Sequence, residues 1–174
     1  MEFNLNKSIS ILERTPSVLR ELLTGLQPEW LHGNEGKDTW SPYHILGHLF
    51  HGENTDWLVR AKIILSDLPD KTFQPFDRFA QDKGDSKPTL NVLLDTFENL
   101  RKANLTELKT FGIDKAALVK TGIHPELGIA TLKELLSTWT VHDLGHLAQI
   151  TRVMAKQYHG EVGPWKAYLG ILKQ

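Results

Sequence analysis

Apolar residues recur every three or four positions in four separate segments of the chain, which places them on one face of an α-helix in each segment. The clearest example begins at Leu90 and continues to Phe111. The alternation of apolar and polar residues that is typical of strands is nearly absent. Amphipathic helices must bury their apolar faces against one another. The sequence therefore predicts an all-α fold, a four-helix bundle.

Capping residues delimit the first two predicted helices. The first, over about 9 to 26, is expected to kink where Thr15 is followed by Pro16, because proline suits the first position of a helix. Ser41 can cap the second helix, which is expected to run to about Leu65 without a break.

The connections differ in length and composition. Segment 66–88 is rich in Pro, Asp and Gly and is expected to form a long loop between helices 2 and 3. Segment 119–130 is expected to be a turn-rich, partly extended crossing. Thr131 and Glu134 form a capping box at the start of the fourth helix, which should end near residue 158. The tail is expected to fold back and pack three residues on the bundle: Trp165, Tyr168 and Leu169.

Length and composition restrict the class of protein. A chain of 174 residues suits a single domain, 1–174. Its 20 basic and 21 acidic residues nearly cancel, which argues against nucleic-acid and membrane partners. The absence of cysteine excludes disulfides, thiolate ligands and a cysteine nucleophile. The N-terminus does not resemble a signal peptide and no apolar run could span a bilayer, so a soluble, cytoplasmic protein is expected.

The fourth helix carries two histidines on its apolar face. His142 and His146 lie one turn apart, separated by about 40° around the helix axis, so both imidazoles could bind one metal ion. Gln149 lies beside them. The alternative is a pair of core histidines that hydrogen-bond to carbonyls or to Asp143. The H-x-x-x-H spacing leaves both interpretations open.

The second helix favours the metal interpretation. His48 borders its apolar arc, whereas His44 and His51 lie further towards the polar side. His48 is therefore the natural third ligand, and the other two are expected to be peripheral. Three neutral imidazoles would leave coordination positions open for water or substrate, which is the pattern of catalytic rather than structural metal sites.

Three stretches carry a resemblance to a known family. They read WSPYHILGHLFHGENTDWLVRAK, TGIHPELGIATLKELLSTWTVHDLGHLAQITRV and VGPWKAYL. Together they resemble the DinB-like superfamily over most of the chain. The resemblance implies a four-helix bundle, often a homodimer, that binds a divalent metal ion, commonly nickel or zinc. Matched residue by residue, the family's ligands fall on His48, His142 and His146.

Several other residues near the predicted site have two interpretations. Asp143 could orient a ligand imidazole or simply be solvated. Glu53, Asp56 and Arg60 fall inside the apolar arc of the second helix, so their charges should be paired. Asp56 and Arg60 have the i, i+4 spacing of an ion pair, although they could instead line a substrate pocket.

The sequence also suggests positions for the side chains of Trp139 and His124. Trp139 is expected in the core or in a pocket wall. His124 is expected in a turn and not among the metal ligands. No cluster of lysine and arginine in the sequence marks a pocket for a thiol cofactor.

The predicted site supports more than one function. A dication on three imidazoles lowers the pKa of a bound water or thiol. The resembled superfamily includes transferases and isomerases that use bacillithiol, mycothiol or glutathione, which favours a metal-dependent thiol S-transferase acting on a small molecule. The chain's lack of cysteine means that the sulfur would arrive on a cosubstrate. The alternatives are a metal-dependent hydrolase, a stress-related metal-binding protein without turnover, and a metal-free protein with polar core histidines.

Overall fold

The computed structural model describes residues 1–80 and 87–173. Most of these residues are helical, and two short 3-10 helices follow the last α-helix, at Gly163–Ala167 and Gly170–Leu172. In chain order the α-helices are α1 (Leu5–Leu12), α2 (Thr15–Leu23), α3 (Pro28–His32), α4 (Pro42–Thr55), α5 (Trp57–Leu65), α6 (Leu90–Thr110), α7 (Lys115–Leu118) and α8 (Leu132–Gln157).

Four helical units pack around the core: α1 with α2, α4 with α5, α6, and α8. α4 packs on α6 and α8, α5 packs on α8, and the two halves of the first unit contact α8 and α6. The apolar faces predicted from the sequence supply this core. Within the described residues, no helix has both the length and the apolar character needed to cross a membrane.

The predicted kink at Thr15–Pro16 is confirmed. α1 ends at Leu12 and α2 starts at Thr15, with Pro16 in its first turn. The break turns the chain without exposing its apolar residues, since Leu12 and Leu19 on either side are buried. The predicted caps at Ser41 and Thr131 also form, the second as a complete capping box with Glu134.

The prediction of one continuous second helix is wrong. Asp56 has φ −116° and ψ −77°, so the chain breaks there into α4 and α5. The break brings Trp57 back against the preceding turn: its Nε1 lies 3.2 Å from where a Cβ on Gly52 would stand. The indole also stacks on Trp139, with 6.0 Å between ring centroids. Packing of this large aromatic pair therefore accompanies the interruption of the helix.

A small antiparallel hairpin forms part of the predicted extended crossing. Its strands are β1 (Thr121–His124) and β2 (Gly128–Thr131). The loop between α5 and α6 pairs with it, because Phe73 N donates to Ile123 O at 2.8 Å and Ile123 N to Lys71 O at 2.9 Å. Phe73 is buried. The loop predicted over 66–88 is thus attached to the bundle near Phe73, while residues 81–86 lie outside the described residues.

Gly122 in this hairpin lies directly against the side chain of Phe73 from the loop. A Cβ there would stand 2.4 Å from Phe73 Cε1 and 3.0 Å from Ile64 Cγ1. We expect Gly122→Ala to lower the free energy of unfolding by about 1–3 kcal/mol, because buried Phe73 must shift. Gly160→Ala is the control, since nothing lies within 4 Å of its added methyl group. Equal urea midpoints for the two variants would contradict this packing.

The predicted packing of the C-terminal tail is wrong for its aromatic residues. Trp165 is 69% exposed and Tyr168 is 88% exposed, and Leu169 is also exposed. The tail does return to α8, but Leu172 is the residue that it buries there. Aromatic content alone did not indicate which side of the 3-10 helices faces the bundle.

Candidate metal centre

The three predicted ligands lie together although they come from two helices. His48 is on α4 and His142 and His146 are on α8. The Nε2 atom of His142 lies 3.1 Å from Nε2 of His48 and 3.1 Å from Nε2 of His146. Nitrogen ligands at the usual zinc distance of 2.0–2.1 Å in a tetrahedron stand roughly 3.3 Å apart. The spacing of these nitrogens therefore fits one small divalent cation.

A hydrogen bond favours the tautomer of His146 that carries its proton on Nδ1 and leaves Nε2 able to bind a metal ion. His146 Nδ1 donates to Gln149 Oε1 at 2.8 Å, which leaves the lone pair of Nε2 directed at the other imidazoles. The Nδ1 atoms of His48 and His142 are buried without a hydrogen-bond partner among the described residues. Apposed ring nitrogens are stable when a proton or a cation lies between them. A single cation satisfies all three Nε2 atoms at once, whereas one proton cannot.

Burial keeps these histidines neutral. Burial, together with smaller contributions from nearby positive charges, lowers the pKa of His48 and of His142 from 6.5 to about 3. Burial also lowers the pKa of His146, although its bond to Gln149 and the charge of Asp143 act in the opposite direction. Neutral imidazole is the form that binds metal ions. At physiological pH the three imidazoles are therefore in the neutral form that can bind a cation.

Aromatic side chains surround the imidazoles. The Trp40 ring is 4.8 Å from the His48 ring between centroids, Phe76 meets His48 edge-on at 5.3 Å, and Trp57 meets His142 at 5.0 Å. These rings restrict the access of water to the nitrogens. They also hold the imidazoles in fixed orientations.

A cavity of about 320 Å³ opens beside the three imidazoles. This volume is at the lower end of the range of small-molecule sites and suits a small ligand. Besides the three histidines, the cavity is lined by Trp40, Gly52, Asp56, Trp57, Arg60, Phe76, Arg78 and His124.

The other histidines lie outside the cluster. His44 bonds Ser41 Oγ through Nδ1 and contacts Lys87, and His51 packs against the Phe76 ring. Both positions agree with the predicted peripheral roles. His124 also stays apart from the three Nε2 atoms, but it ends β1 just before the predicted turn and lines the cavity, which the sequence did not indicate.

A buried charge network lies directly behind the site. Arg101 on α6 donates to Asp143 Oδ2 at 2.6 Å, to Glu53 Oε1 at 2.8 Å and to the carbonyl of Leu12 at 2.7 Å. Trp139 Nε1 donates to Glu53 Oε1 at 3.0 Å. The network joins all four helical units, and Asp143 and Trp139 connect it to the helix that carries His142.

Two carboxylates discussed in the sequence analysis, those of Asp143 and Glu53, both bind Arg101. Asp143 is fully buried and binds Arg101, so the interpretation that it is solvated is wrong. Among the described residues, Asp143 forms no direct hydrogen bond to any of the three clustered imidazoles. Glu53 is paired as expected, but with Arg101. The pKa of Glu53 is raised above its ordinary value, chiefly by burial, and Arg101 and Asn104 offset this only in part.

The predicted ion pair between Asp56 and Arg60 is confirmed. Both side chains also line the cavity beside the histidines. Trp139 is fully buried in the core, stacked on Trp57.

Comparison with known protein families identifies the chain. The model of the DinB superfamily matches residues 11–150, which contain all three clustered histidines. The chain belongs to the DinB superfamily. A search of curated protein sequences found no match.

Two solved structures share the fold of this DinB superfamily member. One is YfiT from Bacillus subtilis, which is described as a probable metal-dependent hydrolase with an unusual four-helix bundle topology. Its TM-score is 0.75 and its sequence identity 21%, and the match covers 89% of this chain and 87% of YfiT. TT2238, described as a four-helix bundle protein, has a TM-score of 0.60 at 19% identity, over 85% of this chain and 98% of its own. The predicted four-helix-bundle fold is thereby confirmed.

Proposed function

We propose that this protein is a metal-dependent enzyme that holds one divalent cation, nickel or zinc, on His48, His142 and His146. The observation that carries the proposal is the convergence of the Nε2 atoms of three histidines, one buried and two partly buried, at the edge of a cavity of about 320 Å³. Three protein ligands leave room in the coordination sphere for a small molecule from that cavity.

The bound cation would lower the pKa of a coordinated water or thiol and so supply a nucleophile at neutral pH. The protein contributes orientation and exclusion of water. Gln149 holds the proton of His146 on Nδ1, and Trp40, Trp57 and Phe76 pack around the imidazoles. Burial keeps all three ligands unprotonated.

Our first candidate reaction is the transfer of a low-molecular-weight thiol to an electrophilic small molecule. A second cavity of about 400 Å³ shares Asp56, Arg60 and Phe76 with the first, so the protein offers two adjacent spaces for two substrates. In the reaction the thiol proton is released, a carbon–sulfur bond forms, and the leaving group departs with its electron pair. The resemblance to thiol-using members of the superfamily supports this candidate.

Hydrolysis of an ester or amide is the second candidate. It is favoured by the structural similarity to YfiT, which is described as a probable metal-dependent hydrolase. The same three histidines would serve, with water in place of the thiol. A metal-binding role without turnover is the remaining alternative.

We expect metal-loaded protein, purified without a histidine tag, to conjugate bacillithiol, mycothiol or glutathione to 1-chloro-2,4-dinitrobenzene. His142→Ala should lower the rate at least about 100-fold, since even the loss of a residue that supports a metal ligand costs about 10–100-fold. His44→Ala, outside the cluster, is the matched control and should retain the rate and the metal content.

The outcomes separate the candidates. Hydrolysis of 4-nitrophenyl acetate without thiol conjugation would favour the hydrolase. One bound metal ion with neither reaction would favour a binding protein without turnover. Equal rates for wild type and His142→Ala would contradict metal-dependent catalysis altogether.

We also propose that the protein forms a homodimer, as the resemblance implies. Sedimentation equilibrium would give twice the mass of the 174-residue chain if this is correct.

A further inference from the structure

Basic side chains line the cavity beside the histidine cluster. Arg60, Arg78 and His124 come from α5, from the following loop and from the end of β1. Asp56 is the one carboxylate among the described lining residues. The sequence showed no such cluster, since these residues are far apart along the chain. The fold brings them together.

Arg60 is held in place before any ligand arrives. Its guanidinium forms an ion pair with Asp56, lies 5.2 Å from the centre of the Phe73 ring, and has Nη2 3.4 Å from the carbonyl of Gln74. Only 8% of its side chain is exposed. An arginine fixed in this way loses little conformational entropy when it binds a ligand.

Arg78 adds a positive charge within electrostatic reach of the histidines. It is exposed and lines the cavity together with His48 and His146. Phe76, two residues earlier, packs edge-on against His48 and places this part of the loop at the cavity. An anion bound at Arg78 would therefore lie close to the histidine cluster.

His124 provides a neutral donor with a defined tautomer. Its Nδ1 accepts hydrogen bonds from the backbone N–H groups of Glu126 and Leu127, both at 3.1 Å. The proton of the neutral ring must then be on Nε2, which makes Nε2 a donor. Burial, helped by the charge of Arg60, lowers the pKa of His124 and favours this neutral form.

We propose that Arg60, Arg78 and His124 form a site for a carboxylate of the substrate, with the reacting end of the same molecule at the three histidines. Two arginines and one aspartate leave one net positive charge, which matches the single negative charge of a carboxylate better than a phosphate dianion. Arginine binds carboxylates through paired N–H donors. The proposal rests on the proposed function, because it names the substrate class of that site.

The test measures binding to cobalt-loaded protein with pairs of thiols. The probes are 3-mercaptopropionate and 4-mercaptobutanoate, each compared with its methyl ester. Coordination of a thiolate to cobalt gives a sulfur-to-metal charge-transfer band, so binding is read without turnover. We expect at least one acid to bind about tenfold or more tightly than its ester, an advantage of about 1.4 kcal/mol.

Two variants and one control locate the source of this preference. Arg78→Gln removes an exposed charge, so it should fold normally and bring the acid-to-ester ratio close to one. His124→Asn keeps an acceptor for the two backbone N–H groups but removes the Nε2 donor, so it should reduce the ratio in part. Arg14→Gln removes an exposed arginine that does not line the cavity and should leave the ratio unchanged.

The possible results have distinct meanings. Acids and esters that bind equally would overturn the carboxylate site and leave the metal centre standing. An undiminished preference in Arg78→Gln would also overturn the proposed site, because Arg78 would then contribute nothing to carboxylate binding. If the protein does not retain cobalt at all, the proposed metal function fails instead, and the carboxylate site fails with it.

Discussion

Arg101→Leu is expected to lower the free energy of unfolding by about 3–5 kcal/mol, because it leaves buried carboxylates without their partner. Arg101 is 1% exposed and binds both Asp143 and Glu53, which are also buried. For a chain of this length the loss corresponds to a decrease in melting temperature of roughly 10 °C. Urea denaturation would measure the free energy of unfolding and a thermal scan the melting temperature, both followed by circular dichroism.

Arg20→Leu is the matched control for Arg101→Leu. Arg20 also pairs with two carboxylates, Asp95 and Glu98, but all three side chains are substantially exposed. Exposed ion pairs contribute about 0–1 kcal/mol, so this variant should differ little from wild type. If Arg101→Leu were no less stable than Arg20→Leu, the buried network would not be holding the helical units together.

Metal-free protein is expected to lose stability in acid because of its histidine cluster. The folded-state pKa of His48 and of His142 is about 3, below the ordinary value of 6.5. A folded state that disfavours protonation is fully stabilised above the unfolded pKa and loses that stability as the pH falls from about 6.5 towards 3. We expect a loss of about 2–4 kcal/mol across this interval, since the two groups do not titrate independently.

The variant His142→Leu isolates this contribution. It removes one titrating group from the core, so its stability should decline less steeply between pH 6.5 and pH 4 than that of metal-free wild type. His159→Gln, at an exposed position, should keep the wild-type slope. Identical pH profiles for wild type and His142→Leu would show that protonation of the cluster does not oppose folding.

The helices and the three clustered histidines could be predicted from the sequence because both depend on local periodicity. Apolar residues three and four positions apart define the helix faces, and His142 and His146 follow the same rule. His48 could be chosen over His44 and His51 from its position at the edge of the apolar arc. The capping box at Thr131 likewise depends only on residues within one turn.

Long-range packing decided the features that the sequence did not indicate. The break at Asp56 accompanies the stacking of Trp57 on Trp139, 82 positions further along the chain. Arg101 lies on α6, which has many polar residues, so its sequence position indicates a solvated side chain. Only the fold brings Glu53 and Asp143 into contact with it. Such tertiary contacts have no signature in a single stretch of sequence.

Long-range packing also brings together the basic side chains that line the cavity. Arg78 belongs to a loop that is attached to the hairpin near Phe73, and His124 lies at the end of β1. In the tail, the sequence indicated aromatic anchors, but Leu172 is buried and Trp165 is exposed. A 3-10 segment is too short for apolar spacing to define its inner face.

The most direct test of the proposed metal centre is the metal content of the purified protein. Tag-free protein would be stripped with chelator, reloaded separately with nickel or zinc, dialysed and analysed by inductively coupled plasma mass spectrometry beside His48→Ala, His142→Ala, His146→Ala and His44→Ala. We expect about one metal ion per chain in wild type and His44→Ala, and near none in the other three, because a catalytic-type site requires all three protein ligands. Metal contents that are the same in His142→Ala as in wild type, or a wild-type protein that retains neither metal, would contradict the three-histidine centre.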